Sequence, residues 1–173
     1  KYPLVAEIYE DFFDNGFNHR MNLLANEGFF GFRPSVKFET GYPGEAWLKG
    51  VTTAINELIG RGIVDPDRLG VHGTSYGGYA TLAGVTLTPD LYCCGVDIVG
   101  PSNLRTLLET IPPYWSVAKK QMVLRIGDVE NDDDFNRARS PLFHAERIRV
   151  PLLIGQGRND PRVKMTESDQ IVE

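Results

Sequence analysis

The 173-residue chain has 18 lysines and arginines against 23 aspartates and glutamates, a net charge of −5, and 42% hydrophobic residues. This composition indicates one globular domain with a buried core. Because the charge is acidic and no basic stripe occurs, nucleic acid and anionic membranes are excluded as principal partners. No apolar run approaches the roughly 20 residues of a membrane span. The chain opens on Lys1 rather than Met, which leaves the compartment open, with the cytoplasm favoured over the periplasm or secretion.

Strands and helices alternate over the first 60 residues. Mostly apolar residues predict a strand over 3–9, and apolar residues at helical spacing predict a helix over 18–26. A second strand over 29–33 ends at Pro34, and a loop over 35–44 follows. The next helix is predicted from an apolar face at steps of three and four, formed by Trp47, Val51, Ala54, Ile55, Leu58 and Ile59.

The centre of the chain predicts a short strand, a sharp turn on a serine, and a helix. After a turn at residues 65–67, the apolar run at 69–71 leads into the pattern G-x-S-x-G, and residues 80–85 fit a buried helix that ends near Pro89. This pattern is typical of a nucleophile elbow. Its residues are Gly73, Ser75 and Gly77, with Gly78 next.

The spacing has a steric reason. A serine in a strained strand-to-helix turn brings backbone close on both sides, where only glycine fits. The hydroxyl of Ser75 is then exposed at a helix N-terminus, where the helix dipole and the Tyr76 N–H can stabilise negative charge on a carbonyl oxygen. Gly73 and Gly78 also have the spacing of a phosphate-binding loop, but that motif requires Lys where this chain has Tyr79, which excludes it.

The second half of the chain continues the alternation. Residues 93–99 predict a strand in which adjacent Cys93 and Cys94 are buried thiols, because a disulfide between neighbours is strained. Residues from about 102 to 145 predict a helical insertion over the elbow, and residues 150–155 a late strand. Strands that alternate with helices in this way predict an α/β fold with a doubly wound, mostly parallel sheet.

A serine nucleophile needs a base and a group that orients the base, and in this fold the chain order is serine, acid, histidine. Asp160 is the best acid candidate because it follows a strand end in a glycine-rich loop, although the same residues can form a simple turn. The histidines His19, His72 and His144 all precede Asp160, so none has the expected position.

An acidic run offers a metal site as an alternative chemistry. Its residues are Glu130, Asp132, Asp133 and Asp134. Consecutive carboxylates just before an apolar residue are more typical of a solvated helix start than of a metal site. We therefore expect neither a metal nor any other cofactor.

Three stretches together resemble the catalytic domain of the prolyl oligopeptidase family of serine peptidases, nearest its acylaminoacyl-peptidase and dipeptidyl-peptidase branches. They are GTSYGGYA at 73–80, VDPDRL at 64–69 and PLLIGQGRNDPRV at 151–163. The resemblance implies that Ser75 is the nucleophile, that Asp160 orients a histidine, and that the Tyr76 N–H is one oxyanion donor. Tyr9 aligns with the tyrosine whose hydroxyl supplies the second donor in the dipeptidyl-peptidase branch.

The resemblance also implies an α/β-hydrolase fold, incomplete at the C-terminus, that hydrolyses short peptides by acyl transfer. The family's catalytic histidine lies one strand beyond the acid. We therefore expect the chain to be a partial peptidase domain, cut at both ends, with its histidine beyond Glu173. An esterase of the same fold and a non-catalytic, hydrolase-like binding domain remain as alternatives, and the oligomeric state stays open.

Overall fold

The computed structural model describes residues 1–8, 18–34 and 43–173. The described strands form one five-stranded sheet in the order β2-β1-β3-β4-β5, with every pair parallel. The predicted α/β class with a doubly wound parallel sheet is confirmed. The strands are β1 (Tyr2–Glu7), β2 (Phe30–Phe32), β3 (Val64–Thr74), β4 (Cys94–Ile98) and β5 (Leu152–Gly155).

Helices connect these strands. The first begins after Asn18, whose side chain accepts a hydrogen bond from the Met21 N–H at 3.0 Å and so caps it. The helices are α1 (His19–Asn26), α2 (Pro43–Gly60), α3 (Tyr76–Leu87), α4 (Leu104–Glu109), α5 (Ser116–Ile126), α6 (Asp133–Arg139) and α7 (Met165–Val172), with 3-10 helices at Pro113–Trp115 and Pro141–Arg147.

The core lies on the face of the sheet that carries α2 and α3. Leu4 pairs with Leu69 and Ala6 with Val71 in adjacent parallel strands, so these side chains share that face. Ile55 of α2 is fully buried in the same cluster. Helix α3 is buried along nearly its whole length, which explains why its sequence lacks a polar face.

The predicted turn at residues 65–67 lies inside β3. The pairing register jumps from Tyr2 opposite Val64 to Leu4 opposite Leu69, which accommodates extra residues in β3. Within them Asp65 Oδ1 accepts a hydrogen bond from the Asp67 N–H at 3.2 Å. The turn chemistry is therefore present, but as an irregularity within a longer strand.

The predicted burial of both cysteines is wrong, because Cys93 and Cys94 are exposed. Cys93 precedes β4, and Cys94 is paired with Gly70, which has no side chain to cover it. An apolar run predicts a strand, but it does not show which face of that strand is covered by another element.

Two predicted segments fall outside the described residues, namely the end of the first strand at Tyr9 and the loop over 35–42. Among the described helices, none combines the length and the apolar character needed to cross a membrane.

Candidate active site

Ser75 joins β3 to α3 in a strained conformation. Its backbone has φ 58° and ψ −115°, a region that a non-glycine residue rarely adopts and that costs about 1–3 kcal/mol. The Ser75 N–H donates to the carbonyl of Ile98 at 2.8 Å, and the Ser75 carbonyl accepts from the Tyr79 N–H at 3.0 Å. These two bonds hold the serine between the end of β4 and the first turn of α3.

The elbow glycines make close backbone approaches. A Cβ at Gly73 would collide with the carbonyl of Gly77. A Cβ at Gly78 would lie 2.6 Å from Cα of Gly100 and would also meet the carboxyl group of Asp97. Glycine is therefore required at position 73 before the serine and at position 78 after it.

A second strained residue lies at the end of β4. Val99 has φ 51°, which is an outlier for a β-branched residue. Its N–H donates to the carbonyl of Gly155 at 2.8 Å, and Gly100 follows against Gly78. Because the strands are parallel, the carboxyl ends of β3, β4 and β5 meet at this edge, where such sheets place their ligand sites.

A cavity of about 150 Å³ opens beside Ser75. The helical segments between β4 and β5 supply most of its wall, and the loop after β5 supplies Arg162 and Val163. Its aliphatic lining residues are Pro101, Leu104, Leu107, Ile111, Pro112, Met122, Ile126 and Val163. A cavity of roughly this size with such a lining admits a six-membered aromatic ring.

Aromatic side chains complete the wall. The Tyr76 and Tyr79 rings lie 5.6 Å apart between centroids. The buried Tyr79 hydroxyl donates to the carbonyl of Arg139 at 3.0 Å, and burial raises the pKa of Tyr79 well above its ordinary value. The Arg162 guanidinium lies 5.6 Å from the centre of the Trp115 ring and is the charged side chain in the lining.

Asp160 lies in the loop after β5, which we call the acid loop (residues 156–163). Its Oδ1 accepts from the N–H groups of Arg162 at 2.8 Å and of Val163 at 2.9 Å. The turn chemistry is therefore present, and the two residues whose N–H groups donate to Asp160 both lie in the wall of the cavity beside Ser75. Among the described residues, Oδ2 of Asp160 accepts no hydrogen bond.

In the part of the chain that the structure describes, no histidine lines the cavity. His72 lies on β3 opposite Glu7 and Val96. Partial burial lowers the pKa of His72, the Arg20 cation lowers it further, and Glu7 opposes both. His144 lies in the second 3-10 helix and His19 begins α1.

Of the two candidate oxyanion donors, Tyr76 lies within the described residues and Tyr9 does not. Tyr76 is the first residue of α3, so its N–H belongs to the turn where helix geometry aims N–H groups out of the N-terminus. Tyr9 lies outside the described residues.

The acidic run forms the start of α6. Asp132 Oδ1 accepts from the Phe135 N–H at 2.9 Å and caps the helix, and Asp133 pairs with Arg105 at 2.8 Å. Over residues 1–8, 18–34 and 43–173, no group of three or more His, Cys, Asp and Glu side chains could hold a metal ion.

Two buried carboxyl groups near the site were not predicted, Asp97 on β4 and Glu167 on α7. Each has 1% of its surface exposed. A single charged residue in the otherwise apolar strand CGVDI is a signal that could have identified Asp97. Glu167 lies in a helix rich in polar residues, where sequence alone cannot separate it from a solvated glutamate.

The family model described as "Prolyl oligopeptidase family" matches residues 15–173. The chain belongs to this family. A relative from Pseudoxanthomonas mexicana, dipeptidyl aminopeptidase BIII, is 43% identical over 171 residues, covering 91% of this chain and 25% of the relative. The dipeptidyl peptidase family member 6 of Caenorhabditis elegans is 38% identical over 171 residues, with 91% and 23% covered. The chain thus spans about a quarter of the length of these relatives.

Solved structures of peptidases share the fold. A puromycin-hydrolyzing peptidase of Mycobacterium tuberculosis superposes with a TM-score of 0.87 at 25% identity, covering 99% of this chain and 28% of that one. The acylaminoacyl peptidase of Pyrococcus horikoshii has a TM-score of 0.85 at 24% identity, with 99% and 30% covered. The latter likeness concerns the fold alone.

Proposed function

We propose that the polypeptide carrying this chain is a serine peptidase that hydrolyses short peptides by acyl transfer through Ser75. The observation that carries the proposal is the strained Ser75 elbow opening beside an apolar cavity. The strain is tolerated because the surrounding backbone over-determines it, which is the usual condition for strain at a reactive residue. The relatives named above as peptidases support the same chemistry.

The roles follow the order of the reaction. A base removes the Ser75 proton as the hydroxyl oxygen attacks the carbonyl carbon, and the same proton then leaves with the amine. Asp160, through its Oδ2, orients the base. The N–H of Tyr76 and the hydroxyl of Tyr9 stabilise the negative oxygen. Water then attacks the acyl-enzyme and releases the acid. From the family resemblance, the base is a histidine that follows the acid loop by one more strand.

The cavity holds the side chain of the residue whose carbonyl is attacked. It lies next to Ser75, and most of its lining is aliphatic or aromatic. An apolar side chain gains roughly 25 cal/mol for each Å² of surface removed from water there, whereas a charged side chain would lose its hydration. We therefore expect leucine, methionine or phenylalanine at this position to be preferred over aspartate or lysine.

Covalent labelling tests the nucleophile. In the longest polypeptide that carries this chain, we expect a fluorophosphonate probe to modify Ser75, because such probes react only with an activated serine. Ser75→Ala should abolish labelling, whereas Ser116→Ala, at the exposed start of α5, should label as wild type does. Mass spectrometry of the labelled peptide locates the modification. A wild type that stays unlabelled would contradict the proposal and favour a non-catalytic binding domain.

A comparison of two substrates distinguishes a peptidase from an esterase. It is needed because the same serine elbow can cleave an amide, which releases an amine, and an ester, which releases an alcohol. We expect turnover of a leucyl or phenylalanyl anilide by wild type and none by Ser75→Ala. Turnover of a simple acyl ester with no detectable anilide cleavage would identify an esterase instead.

A further inference from the structure

One carboxylate outside the proposed catalytic set is both buried and extensively hydrogen-bonded. Oε2 of Glu167 accepts from the backbone N–H groups of Ser102 and Asn103, each at 3.0 Å, and from Nε2 of Gln170 at 2.9 Å. Oε1 accepts from the hydroxyl of Thr106. Among the described residues no cation pairs with Glu167. Hydrogen bonds alone therefore offset its burial.

One end of this network is the cavity wall. Ser102 follows Pro101, and both Pro101 and Leu104 line the cavity. The hydroxyl of Ser102 donates to the backbone carbonyl of Glu167 at 2.6 Å, and the carbonyl of Ser102 accepts from the Leu142 N–H at 3.0 Å. The segment after β4 is thus held through Ser102, which is fully buried.

The other end is the acid loop. Gln156, at the start of this loop, donates through Nε2 to the carbonyl of Val163 at 3.0 Å. Its Oε1 accepts from the hydroxyl of Ser168, the residue after Glu167, at 3.1 Å. Because Gln156 ties the two ends of the loop to each other and also bonds to Ser168 of α7, hydrogen bonds join the loop to the helix that carries Glu167.

We propose that Glu167 is a positioning residue that fixes the acid loop against the segment Pro101–Leu104 and so sets the placement of Asp160 relative to Ser75. The role rests on the proposed function, since it concerns the geometry of that same reaction. Glu167 touches neither the substrate cavity nor Ser75, and it acts through Ser102 on one side and the acid loop on the other.

Glu167→Ala leaves two buried N–H groups without an acceptor and so loosens α7, and the acid loop bonded to it, from the cavity wall. A misplacement of about 1 Å can cost roughly 100-fold in rate, so we expect kcat for a leucyl anilide to fall by about that factor. A carboxylate near an imidazole raises the imidazole pKa. A displaced Asp160 should therefore move the acid limb of kcat/KM to lower pH. Glu167→Gln keeps an acceptor at Oε2 and can donate to Thr106, so it should stay close to wild type.

The experiment uses the longest polypeptide that carries this chain and compares wild type, Glu167→Ala and Glu167→Gln. The control is Ile55→Val, which loosens the core in α2 without touching the network. Rates are measured against pH with a leucyl anilide. Amide hydrogen exchange is followed over residues 100–104 and 156–163, which requires no catalytic activity.

The expected result is a rate loss with a shifted acid limb in Glu167→Ala alone, together with faster exchange in both segments. A wild-type pH profile and kcat in Glu167→Ala would overturn the proposal, as would faster exchange over 100–104 with none over 156–163. If wild type itself has no anilide turnover and no serine labelling, the proposed function fails. The exchange comparison then still decides whether Glu167 joins the two segments.

Discussion

Asp97 is a buried carboxyl group directly behind the elbow. Neither of its oxygens makes a hydrogen bond of good geometry, and the carboxyl group fills the gap between Gly78 and Gly100. Burial raises the pKa of Asp97 to about 7, although the nearby backbone N–H of Gly100 favours the ionised form. Below this pH the group is neutral, so the helix behind Ser75 packs against an uncharged side chain.

This pKa makes stability depend on pH through Asp97. In the unfolded chain the carboxyl releases its proton near its ordinary value of 3.8, whereas the folded chain keeps it up to about 7. The folded state therefore binds more protons over this window, and the stability contributed by Asp97 falls as pH rises through it. Asp97→Asn removes the titration and keeps the shape. The unfolding free energy of Asp97→Asn relative to wild type should rise by about 3 kcal/mol between pH 5 and pH 8.

Urea unfolding of both proteins at the two pH values measures this difference, because contributions from other titrating groups cancel in the comparison. As a control, Asp90→Asn changes an exposed carboxyl group in an exposed ion pair with Arg149 and should show no such trend. A constant difference between Asp97→Asn and wild type would mean that the carboxyl is ionised in the folded state at pH 5.

At the scale of single residues, the sequence predicted those features that depend only on neighbours in sequence. The strained turn at Ser75 could be predicted because its steric demand lies within five positions, whereas the role of Ser75 as nucleophile stays a prediction. Asp97 and Glu167 could not be assigned, because their environment is made by residues distant in sequence, such as Gly78 for one and Ser102 for the other. The role of Asp160 stays a prediction, since its loop serves equally as a turn.

At the scale of elements, the first turn of α3 depends on close packing against the segment after β4. Gly78→Ala would place Cβ 2.8 Å from the backbone nitrogen of Gly100, and backbone cannot move aside as a flexible side chain can. We expect this change to destabilise the chain by about 1–3 kcal/mol and to weaken fluorophosphonate labelling.

The matched control is Gly50→Ala on α2, where an added Cβ meets no atom within 4 Å. Replacement of a helical glycine by alanine stabilises by about 0.5–1 kcal/mol. Midpoints of urea unfolding should therefore move in opposite directions for the two variants. A Gly78→Ala protein as stable as wild type would show that α3 can shift away from Gly100 without cost.

Helices that bury one face could be predicted from the spacing of their apolar residues. The length of a strand, and which of its faces is covered, could be predicted only in part. Helix α2 was predicted from its apolar face, and Val51 and Ile55 are buried as that face requires. Strand β3 is longer than predicted because Asp65 and Pro66 lie within an irregular pairing that local turn chemistry does not reveal. The exposure of Cys94 depends on which elements cover its face of the sheet, and a local apolar run carries no such information.

At the scale of the whole molecule, the site is assembled by topology. Ser75, Gly100 and Arg162 come from the ends of three different strands, and the parallel order β3-β4-β5 places them at one edge. This edge could be predicted once the strands were known to be parallel. The cavity could not be, because its volume depends on how the helices between β4 and β5 pack over that edge.

The same arrangement determines how active the 173-residue segment should be by itself. Ser75 requires a base, and none of the described histidines lines the cavity. Loss of one member of a serine–histidine–aspartate unit lowers turnover by about 10⁴- to 10⁶-fold, leaving only binding and oxyanion stabilisation. We therefore expect at most trace anilide cleavage by the segment, beside full activity of a longer polypeptide that includes a downstream histidine.

The comparison uses one leucyl anilide at equal protein concentration, with Ser75→Ala in both lengths to subtract background. Circular dichroism checks that the segment is folded, because Leu153 on the edge strand β5 is 63% exposed and favours association. Equal rates in both lengths that vanish in Ser75→Ala would contradict the prediction. The base would then lie within the segment. Because His72 is held on β3 opposite Glu7, and His144 belongs to a helix packed near α3, one of them would have to reach Ser75 by a movement of its element.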